Sequence, residues 1–547
     1  MNKLAQAFTL LFTSIFFIAC NNKVAVPIIV HNALIYTVDD QFSTAEAMAI
    51  SDGKIIAIGT NKMILDKYAG DSVVDAKGKY IFPGLIDAHC HFTGYATDMW
   101  KCNLVGTTSF EDIVTKVKTY AKTAPLTWIY GRGWDQNDWT DKAFPNKAAL
   151  DSLFPARPVF LKRVDGHAAL VNQTALNLAG ITPTTVIAGG EIEVKDGKLT
   201  GIVIDNAMKL VDSKVPDIND SLANQYYLAA QNLCFATGLT GVHDCGVSEH
   251  TIELLQKSYT ANLLKMKIFA LLSDNEAYYD RWINKGPLKT ERLHVGGFKV
   301  YADGALGSRG ACMLKPYTDK AGWSGFLLSD TAHFGNLARR LASSALQMCT
   351  HAIGDSANRE ILKIYAQVLK GKNDRRWRIE HAQVVDENDF PFFSENNIIP
   401  SVQPTHATSD MYWAANRIGD TRIQNAYAYK KLLATNGWMP LGTDFPVEDI
   451  SPLKTFFAAV VRQDAKGFPA GGFQPEQALS REEAMRGMTI WAARSAFEEK
   501  EKGSLVIGKS ADFIIVDTDL MKCNTDRNLK TKVLQTFING ALVYPTK

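Results

Sequence analysis

The sequence predicts an α/β chain whose centre is a TIM (β/α)8 barrel, and three observations carry that expectation. Residues 81 to 500 alternate short apolar runs with helical stretches, the pattern of a parallel sheet with crossover helices. Eight of those runs can be placed as barrel strands, ending near His91, Asp244, Leu272, Asp303, Ile353, His381, Gln403 and Asp444. Several runs end in or beside a histidine, lysine or aspartate, and strand ends are where the catalytic groups of this fold gather.

The segments before the barrel set its context. Lys3 followed by the apolar stretch Phe8 to Ala19 is too short for a comfortable membrane span and reads as a signal peptide over residues 1–20. Phe17-Ile18-Ala19-Cys20 resembles a bacterial lipobox, with Phe17 in place of the usual leucine. Lipidation at Cys20 would tether an exported chain to a membrane, facing the periplasm or exterior. A plain cleaved signal and an uncleaved anchor are the alternatives. Residues 21–80 then read as short strands, among them Ile28-Ile29-Val30 and Lys54-Ile55-Ile56-Ala57-Ile58, with Asp52-Gly53 as a turn. Residues 501–547 have the same texture, so the two ends are expected to build one small β-sandwich domain. The first two barrel strands are too far apart for a single crossover. Residues from about 100 to 230 are therefore expected to form a large insertion, with apolar runs at Trp128-Ile129-Tyr130 and Val159-Phe160-Leu161.

Composition narrows the class. A chain of 547 residues, 46% hydrophobic and 21% charged, is an ordinary globular one. A net charge of +2 with no basic cluster gives nucleic acid no support as a partner. A small-molecule substrate is the expected partner, with membrane contact only through the lipid anchor; a homodimer is left open. Besides Cys20 there are seven scattered cysteines without a CxxC pair, and they read as core residues rather than a disulfide framework.

Five segments carry the chemistry. In Asp87-Ala88-His89-Cys90-His91, residues two apart in a strand share a face, so His89 and His91 can converge on one ion while Cys90 points away. The others supply Lys299, His351, His381 and Asp444. A lone strand histidine is most often a satisfied core residue, and an HxH arises by chance in long chains. Six such residues in this order and spacing are much harder to obtain by accident.

The set resembles the amidohydrolase superfamily, and the stretches Lys299 to Arg309 and Gly131 to Asp135 resemble the branch that includes N-substituted formamide deformylases. The resemblance runs from about residue 26 to the C-terminus. It implies that His89 and His91 bind the more buried metal with Asp444, and that His351 and His381 bind a second. It also implies that Lys299 is carboxylated and bridges the ions if there are two. A single-ion site with unmodified Lys299 stays open. Mixed imidazole and carboxylate ligands suit Zn²⁺ best, with Fe²⁺ or Mn²⁺ as alternatives. The implied activity is hydrolysis of a non-peptide C–N bond, an amide, N-formyl or N-acyl amine, by a metal-activated hydroxide, with Asp444 as the proton carrier.

Four residues are candidates on the substrate side. His167 in the insertion resembles a substrate-side histidine of this branch. His243 is expected at the end of the second strand, to touch substrate or to be a buried hydrogen-bonded histidine. Arg309 would bind a carboxylate or pair with Asp303, itself a candidate. Trp100, Trp128, Trp134 and Trp139 line a pocket or simply pack. Two competing functions use the same barrel: a surface-tethered binding protein without catalysis, or a deaminase or isomerase on the same site.

Overall fold

The computed structural model describes residues 23–124 and 127–546. The signal segment and Cys20 therefore lie outside the described residues. Seven parallel strands form the central sheet: β1 (Leu85–Cys90), β2 (Leu239–Val247), β3 (Lys267–Ser273), β4 (Leu293–Tyr301), β5 (Gln347–Ala352), β6 (Arg378–His381) and β7 (Ile399–Ser401). Each pairs in parallel with the next, from β1 through β7. All but a few of their residues are buried, as strands covered on both faces require.

Residues 441–444 lie between β7 and β1. Val402 bridges Leu441 in parallel, Ala88 donates to the Leu441 carbonyl at 3.1 Å, and Asp444 donates to the His89 carbonyl at 2.8 Å. The ring is nearly closed. Gly442 permits that approach, since a Cβ there would meet the His89 nitrogen at 2.5 Å. The buried Asp87 carboxylate fixes the same junction, accepting from the Thr443 hydroxyl at 2.6 Å and its amide at 3.0 Å.

Between β1 and β2 the chain builds a separate six-stranded sheet, running in space from Gly190–Lys195 through Lys198–Asp205, Ala168–Val171, Val159–Arg163 and Ile129–Trp134 to Cys102–Asn103. Apolar side chains cover both of its faces. Trp134 and Trp139 pack on one with Leu150 and Leu161; Trp100, Trp128 and Tyr130 pack on the other with Phe160. Trp134 Nε1 donates to the Leu161 carbonyl at 2.7 Å and Trp139 Nε1 to that of Thr107 at 3.0 Å. Of the four tryptophans, only Trp100 also lines a cavity over the barrel.

Strands from both ends of the chain share one hydrogen-bonded sheet. Phe513–Val516 pairs antiparallel with residues 80–83, and the sheet extends through Val24–Tyr36 on one side and Val533–Ile538 on the other. Lys267 of β3 ties this sheet to the barrel: its Nζ lies 2.7 Å from Asp512 and 2.7 Å from Asn539. All seven cysteines among the described residues are free, and five are buried. Among the described residues no helix is long and apolar enough to cross a membrane.

Candidate metal centre

The site stands where the barrel strands end. His89 and His91 leave the end of β1 on one face, and Asp444 meets them from the closing segment: His91 Nε2 is 3.2 Å and His89 Nε2 3.6 Å from Asp444 Oδ1. His91 Nδ1 lies 2.8 Å from the Cys245 carbonyl, which can only accept, so that nitrogen carries the proton and Nε2 keeps a lone pair. His89 Nδ1 is likewise engaged, at 2.5 Å from Glu380 Oε2. Burial, then the nearby Lys299 charge, holds the His89 imidazole down at about 4, so it is neutral near pH 7. Burial also keeps His351 and His381 well below the ordinary histidine value. Neutral imidazoles are what a metal requires.

Two triads of donor atoms share Asp444. His89, His91 and Asp444 form one; His381, His406 and Asp444 form the other, and within each the atoms lie within 4.8 Å of one another. Asp444 Oδ1 and His381 Nδ1 are buried without a hydrogen-bond partner. Such an orphaned carboxylate oxygen facing imidazole lone pairs is the donor set of a divalent cation, and the residues present fit one. His381 and Asp444 both take positive φ, +76° and +65°.

Lys299 is fully buried, with Nζ 3.0 Å from His89 Nε2. His351 belongs to neither triad. Its ring packs 4.6 Å from that of His381, and its Nε2 lies 3.4 Å from the Gly304 carbonyl. His406 takes a place that the sequence reading did not assign. It stands on the helix Pro404–Asp410 just beyond β7, with Nε2 3.2 Å from Asp444 Oδ2 and Nδ1 3.0 Å from Glu448 Oε1. Burial would lower its imidazole, but the hydrogen bonds of the two carboxylates raise it well above the ordinary value.

The substrate-side candidates separate. His167 reaches the site from the insertion. Its Nδ1 is 2.6 Å from Asp205 Oδ1 and its ring is 5.1 Å from that of His351. Burial opposes the proton on His167, but the hydrogen bond it donates to Asp205 raises its pKa. The other three lie outside the cavity lining. His243 is buried below the rim, because β2 continues to Val247, and its Nδ1 meets Arg378 at 3.1 Å. Asp303 accepts three backbone N–H bonds, from Cys312, Ile353 and Gly354 at 2.8 to 3.0 Å, which pin the loop after β4. Arg309 turns outward and grips Asp319 with two nitrogens, at 3.1 and 2.8 Å, rather than Asp303.

A cavity of about 240 Å³ stands over these residues, lined by Lys299, His351, His381, His406 and Asp444, with Asp135, Arg163 and Asp165 from the insertion. It adjoins a cleft of about 1130 Å³; His91, Asp165, His167 and Tyr301 border both.

A near-closed parallel barrel with such a centre at its strand ends defines a metal-dependent hydrolase. The profile of the amidohydrolase family matches residues 72–544, and the chain belongs to that family. LONG AFTER FAR-RED 3 of Arabidopsis thaliana is 34% identical over 538 residues, covering 95% of this chain and 91% of that one. The N-substituted formamide deformylase of Arthrobacter pascens is 26% identical over 538 residues, with 94% and 97% covered. The crystal structure of an uncharacterized metal-dependent hydrolase from Pyrococcus horikoshii OT3 superposes with a TM-score of 0.74 at 27% identity, covering 91% of this chain and 99% of that one.

Proposed function

We propose that the protein hydrolyses a non-peptide carbon–nitrogen bond, in an N-acyl or N-formyl amine, at a centre holding one or two divalent ions, with zinc the first choice. The observation that carries the reading is the convergence of two histidine pairs on Asp444 at the floor of a small cavity. Similarity to a formamide deformylase supports the leaving group. His89, His91 and Asp444 would hold one ion and His351 and His381 a second, with His406 donating to Asp444 rather than ligating. In a two-ion form, a carboxylated Lys299 would add anionic oxygens where an ammonium would be repelled. A divalent cation bound there would polarise the substrate carbonyl and would make water nucleophilic near neutral pH.

The chain's own groups do the rest. Burial would raise the Asp444 carboxyl, but the hydrogen bond from His406 helps hold it well below the ordinary carboxylate value, so it is ionised and can take a proton. It receives the proton of the attacking water and returns it to the departing nitrogen. His406 donates to Asp444 Oδ2 and so turns Oδ1 toward His89 and His91. His167, on the wall shared with the larger cleft, would contact the substrate. The proposal includes export and lipidation at Cys20, supported by the basic and apolar leader.

The test is amine release from a panel of N-formyl and N-acyl amines by zinc-loaded protein. Turnover of at least one that disappears in Asp444→Asn supports the reading. Turnover of none, by protein that binds zinc, sinks it.

A further inference from the structure

Barrel cores of this kind are ordinarily filled with branched aliphatic side chains, and a buried charge is costly unless well paired. Here β6 places Arg378 and Glu380, both with no exposed surface, beneath the site. Their geometry is not that of a pair formed for its own sake. Arg378 Nη1 stands 3.7 Å from Glu380 Oε1, end-on, while Nε and Nη2 find no hydrogen-bond partner among the described residues. A self-sufficient arginine–carboxylate pair would be bidentate. Instead, Glu380 directs its other oxygen to His89 Nδ1 at 2.5 Å. Arg378 Nη1 reaches the carbonyl of Ala88, the residue before His89, at 3.2 Å, and His243 Nδ1 at 3.1 Å. Both side chains thus converge on adjacent residues of β1, Ala88 and His89.

We propose that Glu380 and Arg378 are positioning residues for the metal centre. Glu380 accepts the His89 Nδ1 proton, which fixes the ring orientation and leaves Nε2 as the ligand atom. Arg378, braced by His243 and the Ala88 carbonyl, holds Glu380 in that position. Partners of this kind raise the basicity of a ligating imidazole, and their loss typically weakens metal binding by about 10- to 100-fold. The inference rests on the metal-centre reading above, and its test distinguishes the two.

Zinc affinity is measured by competition with a chromogenic chelator, alongside thermal unfolding, for wild type, Glu380→Gln, Arg378→Gln, Arg378→Lys and the Arg378→Gln/Glu380→Gln double variant. Glu380→Gln should bind zinc about 10- to 100-fold more weakly. Arg378→Gln should also weaken it, Arg378→Lys should recover much of the loss, and the double variant should be no worse than Glu380→Gln. A Glu380→Gln protein that folds and binds zinc as wild type does overturns the proposal. So does an Arg378→Gln variant that loses stability but keeps zinc affinity, or two effects that multiply. If Arg378→Gln does not fold, the isosteric Glu380→Gln still decides. Wild type without measurable zinc affinity would fail the metal-centre reading itself, before the positioning residues are in question.

Discussion

Replacing Asp444 with asparagine changes two atoms' chemistry and almost no volume. The backbone contact to His89 and the hydrogen bond available at Oδ2 can be kept, so the closing segment should stay in place. What is lost is the anionic Oδ1, 3.2 Å from His91 Nε2, which asparagine cannot use to take up a proton at neutral pH. General acid–base catalysis by one positioned group contributes about 10²- to 10⁴-fold. At 1.36 kcal/mol per decade, the activation barrier should rise by about 3 to 5 kcal/mol. The assay is amine release from the best N-formyl or N-acyl substrate, with folding checked by circular dichroism and metal content by elemental analysis. A variant that keeps its fold and more than half of wild-type kcat/KM would refute the proton-carrying role of Asp444.

The remaining predictions concern the ligands, the packing and the leader. His89→Ala should abolish the thermal stabilisation that zinc gives the wild type, about 2.7 kcal/mol at a free zinc concentration 100 times Kd; equal zinc-dependent shifts in both proteins would remove His89 from the centre. Lys267→Met strands the buried Asp512 carboxylate between barrel and terminal sheet, and breaking such a pair costs about 3 to 5 kcal/mol. Denaturant titration reads this, and a loss below about 1 kcal/mol would show that the contact ties nothing together. Cys20→Ser in the full chain expressed in a bacterium should move the protein from the membrane fraction to the soluble one; an unchanged membrane fraction would exclude the lipid anchor.

Much of this architecture was legible because buried parallel strands read as continuous apolar runs. The first seven strands end within three residues of the positions read from sequence. His89 and His91 were legible through the two-residue period of a strand. His406 was not, since it sits on a helix beyond the strand end, where no apolar run points to it. Glu380 was visible only as a neighbour of His381, because sequence does not say which way a four-residue strand turns its side chains. Of the two readings for His243, the structure gives the buried, hydrogen-bonded one, because β2 runs on through Cys245-Gly246-Val247. Arg309 lies six residues from Asp303, but the loop, with Arg309 itself at φ +62°, turns it toward Asp319 instead. Long-range partners of that kind leave no local signal.

The central claim is a metal centre built on His89, His91, His351, His381 and Asp444. Its most direct test is elemental analysis of protein purified without its leader and without added metal or chelator. One to two equivalents of a divalent metal, lost in His89→Ala and Asp444→Ala, is the predicted result. No bound metal, together with no activity after reconstitution with zinc, iron or manganese, would contradict it.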